Sequence, residues 1–327
     1  MFHATIAGTG AAVPARVLTN ADLMKMVETT DEWITTRTGI RERRMAGEGD
    51  VLSDFCVAAS RPALEAARLH ARDLDAVIVA TVTPDQPIPA AACVVQQKLG
   101  AKKAAAWDQN AGCSGWLYGL HVADGLIQSA KAQNILLVGA EFLTRYTDYS
   151  DRGTCVLFGD GAGATVLKAT RADHGVLSTT IRCDGEGAGF ISMPGGGSNA
   201  PPNRAETLEQ RLSFIKMMGG ETFKTAVRAV TDVCREVLAE SGFTSADVSW
   251  LIPHQANDRI IKAVGDRLQI PADRCVVNID RYGNTSAASI PIALDEYVRA
   301  GKIKRGDLIL FTAFGAGLTW GAALVRW

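Results

Sequence analysis

An α/β fold with a largely parallel sheet, covered by helices on both faces, is what this sequence predicts. Three observations predict it: short apolar runs recur along the chain, longer amphipathic stretches separate them, and the same order of elements passes twice. Strands buried on both faces read as near-continuous apolar runs, and the helices that cover them read with a 3.6-residue period. A fixed order repeated across one chain points to an internal duplication.

In chain order, the amphipathic stretch Asp54–Ala67 predicts a helix, and Asp73-Leu74-Asp75 leads from it into Ala76–Val82 (AVIVATV). That run is short, apolar and rich in β-branched residues, so it predicts a buried strand. Ala90–Leu99 predicts the next helix, and Asp108 with a loop of small residues opens another over Gly115–Ser129. Ile135–Gly139 (ILLVG) follows as a strand, and the glycine-rich Phe158–Leu167 (FGDGAGATVL) reads as a hairpin. The second passage runs through helix Thr222–Ser241, then Ala246-Asp247-Val248, strand Trp250–Ile252 and helix Arg259–Leu268. Asp280, the loop Tyr282–Ser286 (YGNTS), a helix, strand Leu308–Phe311 and hairpin Phe314–Val325 (FGAGLTWGAALV) complete it. The halves divide near residue 172, giving 1–172 and 173–327. Glu141–Leu157 is inserted into the first half, and Gly185–Arg211, rich in Gly, Pro, Ser and Asn, opens the second as a surface connection.

Composition narrows the partners. The 327 residues are 47% hydrophobic and 21% charged, enough chain for a large core without covalent staples. Lys and Arg number 34 against 35 Asp and Glu, a formal net charge of -1, which excludes bulk nucleic-acid affinity and a polybasic membrane face. The seven cysteines contain no CxxC pair, so a disulfide framework or cysteine zinc site is not expected, and a reducing cytoplasm fits. The start MFHATIAGTG lacks the charged and apolar regions of a secretory signal. Ile309–Val325 is uncharged, but Gly315, Gly317 and Gly321 interrupt it, so it reads as two buried strands rather than a membrane span. Gly8-Thr9-Gly10 lacks the third glycine of a dinucleotide fingerprint, Phe158–Ala164 lacks the Lys-Ser/Thr of a P-loop, and no His, Asp or Glu cluster has metal-ligand spacing.

Three residues carry the chemistry. Cys113 lies in Gln109–Trp116 (QNAGCSGW), among small residues and ahead of a helical pattern. The dipole and free amides of a helix start give such a thiol thiolate character, although most free cysteines are only small buried hydrophobes. His254 directly follows the strand Trp250–Pro253, and catalytic groups of open α/β sheets gather at such carboxyl ends. Asn284 lies in the YGNTS loop, which the repeat matches to the Gly112–Cys113 loop; alone it would read as a turn asparagine. A thiol, an imidazole and an amide converging on one place suit acyl transfer from a thioester, with donors for the developing oxyanion.

With these segments in view, the sequence resembles the β-ketoacyl-acyl-carrier-protein synthase III family, the initiating condensing enzymes of bacterial fatty-acid synthesis within the thiolase superfamily. The segments that carry the resemblance are DEWITTRTGI (Asp31–Ile40), NAGCSG (Asn110–Gly115), DRGT (Asp151–Thr154) and FGDGAGA (Phe158–Ala164). PHQANDRI (Pro253–Ile260), GNTSAAS (Gly283–Ser289) and Phe314–Trp327 continue it over essentially the whole chain. The resemblance implies a thiolase-like duplicated fold, five-layered αβαβα with mixed sheets, and a homodimer. It implies that Cys113 takes an acyl group from acyl-CoA, while His254 and Asn284 hold the thioester carbonyl of malonyl-acyl-carrier-protein as carbon dioxide leaves. The amides of Cys113 and of the turn at Ala316 would form the oxyanion hole. Trp33, Arg37, Arg152 and Asn257 would bind CoA, and Gln255, Arg259 and Lys224 would meet the acidic carrier, with Lys216 and Lys262 also near that patch. Ile88, in Gln86–Pro89, would close the partner subunit's acyl pocket.

The resemblance implies no cofactor or metal, since CoA and phosphopantetheine thioesters enter as substrates. Chain-elongating relatives use Cys-His-His, so Asn284 marks the initiating type. Gly112 stands where relatives often carry alanine, a change expected to be harmless, and Gly220 stands where some place asparagine. Alternatives remain: an acyltransferase or condensing enzyme of specialised polyketide or quinolone metabolism, a Cys-His-Asn hydrolase of the papain kind, or a non-catalytic carrier-protein scaffold. Loss of carbon dioxide, release of free acid, and binding without turnover separate them.

Overall fold

The computed structural model describes residues 2–327. The first half builds a sheet from β1 (His3–Ala12), β2 (Ala76–Ala80), β3 (Ala105–Gln109), β4 (Asn134–Phe142) and β5 (Asp160–Thr170), in the order β1-β5-β4-β2-β3. The second builds one from β6 (Gly175–Cys183), β7 (Trp250–Pro253), β8 (Leu308–Gly315) and β9 (Thr319–Arg326), in the order β7-β8-β9-β6. The chain passes between the sheets in the link from Thr170 to Gly175.

Both sheets are mixed. In the first, β2 runs parallel to β3 and β4, while β5 runs antiparallel to β4 and β1. In the second, β7 and β8 are parallel, and β9 runs antiparallel to β8 and β6. The largely parallel sheet read from the element pattern is corrected accordingly, because apolar runs report burial on two faces and not strand direction. A fifth position in the second sheet is marked by one parallel bridge, Leu251 to Cys275, where the first sheet has the whole of β3.

Helices fill three layers around these sheets. Between them lie α4 (Gly115–Gln128) and α7 (Ser289–Arg299), joined to both sheets in one apolar cluster that includes Trp116, Leu120, Ile290, Leu294, Ile135 and Phe311. A helix buried on all sides must be apolar nearly all round, as GWLYGLHVADGLIQ is. The outer face of the first sheet is covered by α2 (Leu52–Ala66) and α3 (Ala91–Leu99), and that of the second by α5 (Gly219–Glu240) and α6 (Asp258–Leu268). These outer helices bury one stripe only; on α5 it runs through Ala226, Val230, Val233 and Val237. The result is the five-layered αβαβα arrangement. The short α1 (Asp31–Thr38) lies beyond these layers and packs against α6.

One local expectation fails. Phe158–Leu167 is not a hairpin: from Asp160 it is the single strand β5. Its glycines serve close packing, for a Cβ on Gly161 or Gly163 would come within 2.9 Å of Ile292 or Pro291 on α7. Phe314–Val325 is a true hairpin of β8 and β9, which accounts for the uncharged carboxyl stretch. Among the described residues no helix is long and apolar enough to cross a membrane.

Candidate active site

The site is assembled from two loops of one design. After β3, Asn110 precedes a tight helical turn at Gly112–Ser114, and α4 starts at Gly115. In the second half, Asn284 precedes the turn Ser286–Ala288, and α7 starts at Ser289. Each asparagine Oδ1 accepts the amide two residues on, Gly112 at 3.4 Å and Ser286 at 2.9 Å. Gly112 and Ser286 are both left-handed, with φ of +53° and +49°. The repeat therefore pairs Asn284 with Asn110, and Cys113 with Ala287.

Cys113 is half-buried and lines the two pockets beside it. Burial pushes its thiol up to about 11, and the Ser286 hydroxyl offsets part of that rise. The start of α4 at Gly115 acts in the opposite direction, favouring the thiolate. The hairpin turn closes over it: a Cβ on Gly315 would lie 2.6 Å from the Cys113 amide nitrogen, and one on Gly112 would lie 2.9 Å from that of Ala316. Backbone approach this tight sets the Cys113 and Ala316 amides close together. It also makes Gly112 less replaceable than expected, since alanine there would meet both an unfavourable φ and the Ala316 backbone.

His254 is anchored where β7 ends, its amide donating to Thr312 O at 2.8 Å. Its Nδ1 lies 2.7 Å from Ser289 Oγ, and that oxygen accepts the Gln255 amide at 3.3 Å. With the Ser289 hydroxyl donating to Nδ1, Nε2 would carry the ring proton. Burial pushes the imidazole down to about 3, so it is neutral at pH 7. Asn284 is held by its backbone to Leu157 and Gly159, and with Oδ1 engaged it offers Nδ2 as a donor. Cys113, His254 and Asn284 line one cavity of about 140 Å³, together with Phe223, Asn257 and Phe314. A second cavity, of about 280 Å³, meets Cys113 from the other side and is lined by Leu143, Tyr146, Phe158 and Ile215.

The remaining expected residues fall into separate groups. Trp33 on α1 lies under two guanidinium groups, with Arg37 and Arg152 at 4.9 and 4.8 Å from its ring centre; side chains this close leave no gap for a purine until they part. Asn257 lines the first cavity and caps α6, its Oδ1 accepting the Arg259 amide and its Nδ2 donating to Arg37 O. Arg259 and Lys224 are exposed on adjoining helices, the guanidinium over the Phe223 ring at 5.4 Å. Lys216 pairs with Asp148, and Lys262 with Asp258. Gln255 does not face a partner. It is 1% exposed, bonded to Pro253 O and Val276 O and accepting the amides of Asn278 and Ile279, so its place on the docking surface is withdrawn. Ile88 is 87% exposed and lines neither cavity of its own chain.

Three residues escaped the sequence reading. Ser289 sets the histidine, Ser286 lines the second cavity with Cys113 and donates to Glu141, and Glu141 is fully buried with a carboxyl pushed up to about 7 by burial. Glu141 left a signal, the lone charge at the end of the apolar run ILLVGAEF. The two serines left none, because serines are usual in turns and at helix starts.

A duplicated five-layered fold whose two matching loops bring a thiol and two neutral donors to one cavity defines the condensing acyltransferases of the thiolase class. Family models described as 3-Oxoacyl-[acyl-carrier-protein (ACP)] synthase III and its C terminal match residues 107–185 and 238–327. The Beta-ketoacyl-[acyl-carrier-protein] synthase III of Caldanaerobacter subterraneus subsp. tengcongensis is 51% identical over 324 residues, 99% of this chain and 98% of that one. The crystal structure of 3-oxoacyl-[acyl-carrier-protein] synthase III from Aquifex aeolicus VF5 superposes with a TM-score of 0.92 at 48% identity, covering 99% of this chain and 100% of that chain. The priming β-ketosynthase of the R1128 polyketide pathway has the same TM-score at 34% identity, covering 99% and 96%. This chain belongs to the β-ketoacyl-[acyl-carrier-protein] synthase III family.

Proposed function

We propose that the protein joins an acyl-CoA primer to malonyl-acyl-carrier-protein with loss of carbon dioxide, giving β-ketoacyl-carrier-protein and CoA and so initiating fatty-acid synthesis. The observation that carries this reading is Cys113 standing where two cavities meet, with both neutral donors in only one of them. In the first half-reaction Cys113 Sγ attacks the acyl-CoA carbonyl, the Cys113 and Ala316 amides hold the oxyanion, and the acyl chain enters the apolar cavity of Leu143, Phe158 and Ile215. In the second, His254 Nε2–H and Asn284 Nδ2–H hold the malonyl thioester oxygen. Decarboxylation leaves an enolate on that oxygen, stabilised by neutral donors that need no reprotonation, and its carbon attacks the acyl-Cys113 thioester. The thioesters supply the activation themselves, so the proposed reaction draws on no cofactor.

Substrate contacts follow the same division. Trp33 and Arg152 would part to admit the CoA adenine, Arg37 would meet its phosphates, and Asn257 would meet the arm descending to Cys113. Arg259 and Lys224 would receive the acidic carrier near the mouth of that cavity. Ile88 would be covered by a second copy of the chain, closing the partner's acyl pocket in a homodimer. A net charge of -1 supports neither nucleic-acid nor membrane partners, and a cytoplasmic setting suits free thiols. A relative of specialised metabolism is the more distant match, so primary fatty-acid synthesis is the reading adopted.

The test is incubation with a panel of acyl-CoAs and malonyl-carrier-protein, with carbon dioxide and carrier-bound product followed together. Stoichiometric carbon dioxide and β-ketoacyl-carrier-protein are expected. Free acid without carbon–carbon bond formation, or acyl transfer without decarboxylation, would overturn the proposal.

A further inference from the structure

Two stretches far apart in sequence supply most of the large apolar side chains of the second cavity. Leu143, Tyr146 and Phe158 follow β4, and Ile191, Met193 and Ile215 belong to a strap, residues 191–217, that precedes α5. Leu143, Phe158 and Ile215 share one apolar cluster, with Tyr146 and Ile191 packed on it. The strap is closed on itself by a short ladder, Ile191–Ser192 against Lys216–Met217, and by the Gly195 amide donating to Leu212 O.

Its polar attachment to the rest of the chain is narrow. The Ile215 amide donates to Tyr146 O at 2.9 Å. Among the described residues, every side-chain hydrogen bond or ion pair from 191–217 to the rest of the chain ends on Asp148 or Ser150. Arg211 makes most of them: Nε donates to Asp148 Oδ2 at 2.9 Å and Nη2 donates to Oδ1, with the guanidinium 4.9 Å from the Phe214 ring centre. Lys216 Nζ stands 3.8 Å from Asp148 Oδ2. Asp148 is 3% exposed and its Oδ1 also accepts the Ser150 amide and hydroxyl, so it is a fixed post and not a mobile surface charge. A forked pair of this kind sets direction as well as distance.

Arg211 is held there against a local preference. It follows the Gln210 cap of the short helix Ala205–Glu209 with a φ of +54°, and the amides of Arg211 and Leu212 close that helix end on Leu208 O and Thr207 O. Helices most often place glycine at this position, because glycine takes a positive φ without strain. The one feature that glycine could not supply is the guanidinium.

We infer that the Arg211–Asp148 pair is a latch that fixes the strap side of the second cavity and so limits the length of the primer that Cys113 accepts. The inference rests on the reading above that this cavity receives the acyl chain. Asp148 lies two residues from Tyr146 and Arg211 four from Ile215, so the latch grips both stretches beside the backbone bond that joins them. With the latch closed, Ile191, Met193 and Ile215 stay packed in place and the cavity keeps its volume of about 280 Å³. With it open, the backbone bond and the apolar contact are left to hold the strap, and that side of the cavity gives way to a longer chain. Neither Asp148 nor Arg211 lines a cavity at Cys113, so both are positioning residues that act on specificity.

The experiment is single-turnover acylation of the full-length protein by acetyl-, hexanoyl- and dodecanoyl-CoA, followed by intact mass, in the wild type, Arg211→Gly and Asp148→Asn. The readout is the ratio of the rate with each longer primer to the rate with acetyl-CoA, which a merely structural tie would not move. It should rise in both variants, by about tenfold or more for dodecanoyl-CoA, since one methylene in an apolar pocket is worth at least about that factor. Arg211→Gly supplies the residue that its backbone favours, so it decides the matter even where Asp148→Asn does not fold. A folded Arg211→Gly whose ratios fall or match the wild type, with rates kept or lowered equally for all primers, overturns the latch and leaves the acyl-Cys113 reading intact. A wild type that takes no acyl group from any primer overturns both.

Discussion

The loops Asn110–Gly115 and Asn284–Ser289 follow the same backbone course yet bring different side chains to the site. Each opens with an asparagine bonded two residues on, passes through a left-handed residue, tightens into a short helical turn and starts a central helix. The first sets a cysteine where the second sets Ala287, and the second sets a serine where the first has Gly112. Their asparagines also line different cavities, Asn110 the one with Leu143 and Ile215, and Asn284 the one shared with His254. The duplicated backbone thus supplies position, and the few side chains that differ supply function. In the reaction proposed above, Cys113 of the first loop would carry the acyl group and Asn284 of the second would hold the malonyl thioester.

The most severe way to break this comparison is to make the loops alike. Cys113→Ala reproduces Ala287 in the first loop and should abolish acyl loading, with no label on the protein after acetyl-CoA; loading of any other residue would show that the nucleophile is misassigned. His254→Ala removes a donor on the second side only. It should lower condensation by about 10²–10³ while acylation stays near normal, as for loss of one oxyanion donor. Ser289→Ala frees the imidazole tautomer without removing it, and about tenfold slower condensation is expected, the effect of one hydrogen bond. Equal losses in both half-reactions would mean that Ser289 serves the fold and not the histidine. Arg259→Glu touches neither loop. It should raise the KM for malonyl-carrier-protein a few-fold, about what an exposed charge contributes, and leave that for acyl-CoA unchanged.

Much of this arrangement is legible in the residues alone, and the exceptions have physical causes. Cys113, His254 and Asn284 stand out because each occupies a strand end or glycine-flanked loop, where function concentrates in α/β folds. Strand direction is not legible, since Ala76–Ala80 and Leu308–Gly315 would read alike in a parallel or antiparallel sheet. Nor is the purpose of a glycine: the same spacing makes a hairpin at Gly315–Gly317 and a helix-packing strand at Gly161–Gly163. Gln255 shows a third limit. It sits beside His254 in PHQANDRI, but its side chain turns inward to close a buried turn at Asn278, which depends on χ angles and not on position in the motif. Glu141 is visible as an isolated charge in an apolar run, yet its partner Ser286 lies 145 residues away and only the fold joins them.

The division of labour between the loops is tested most directly in Asn284→Ala given labelled acetyl-CoA and then malonyl-carrier-protein. The expected result is full loading of Cys113 at the wild-type rate, followed by label that persists on the protein because the second half-reaction has slowed by about 10²–10³. A variant that never loads, or one whose label leaves at the wild-type rate as β-ketoacyl product, would contradict it.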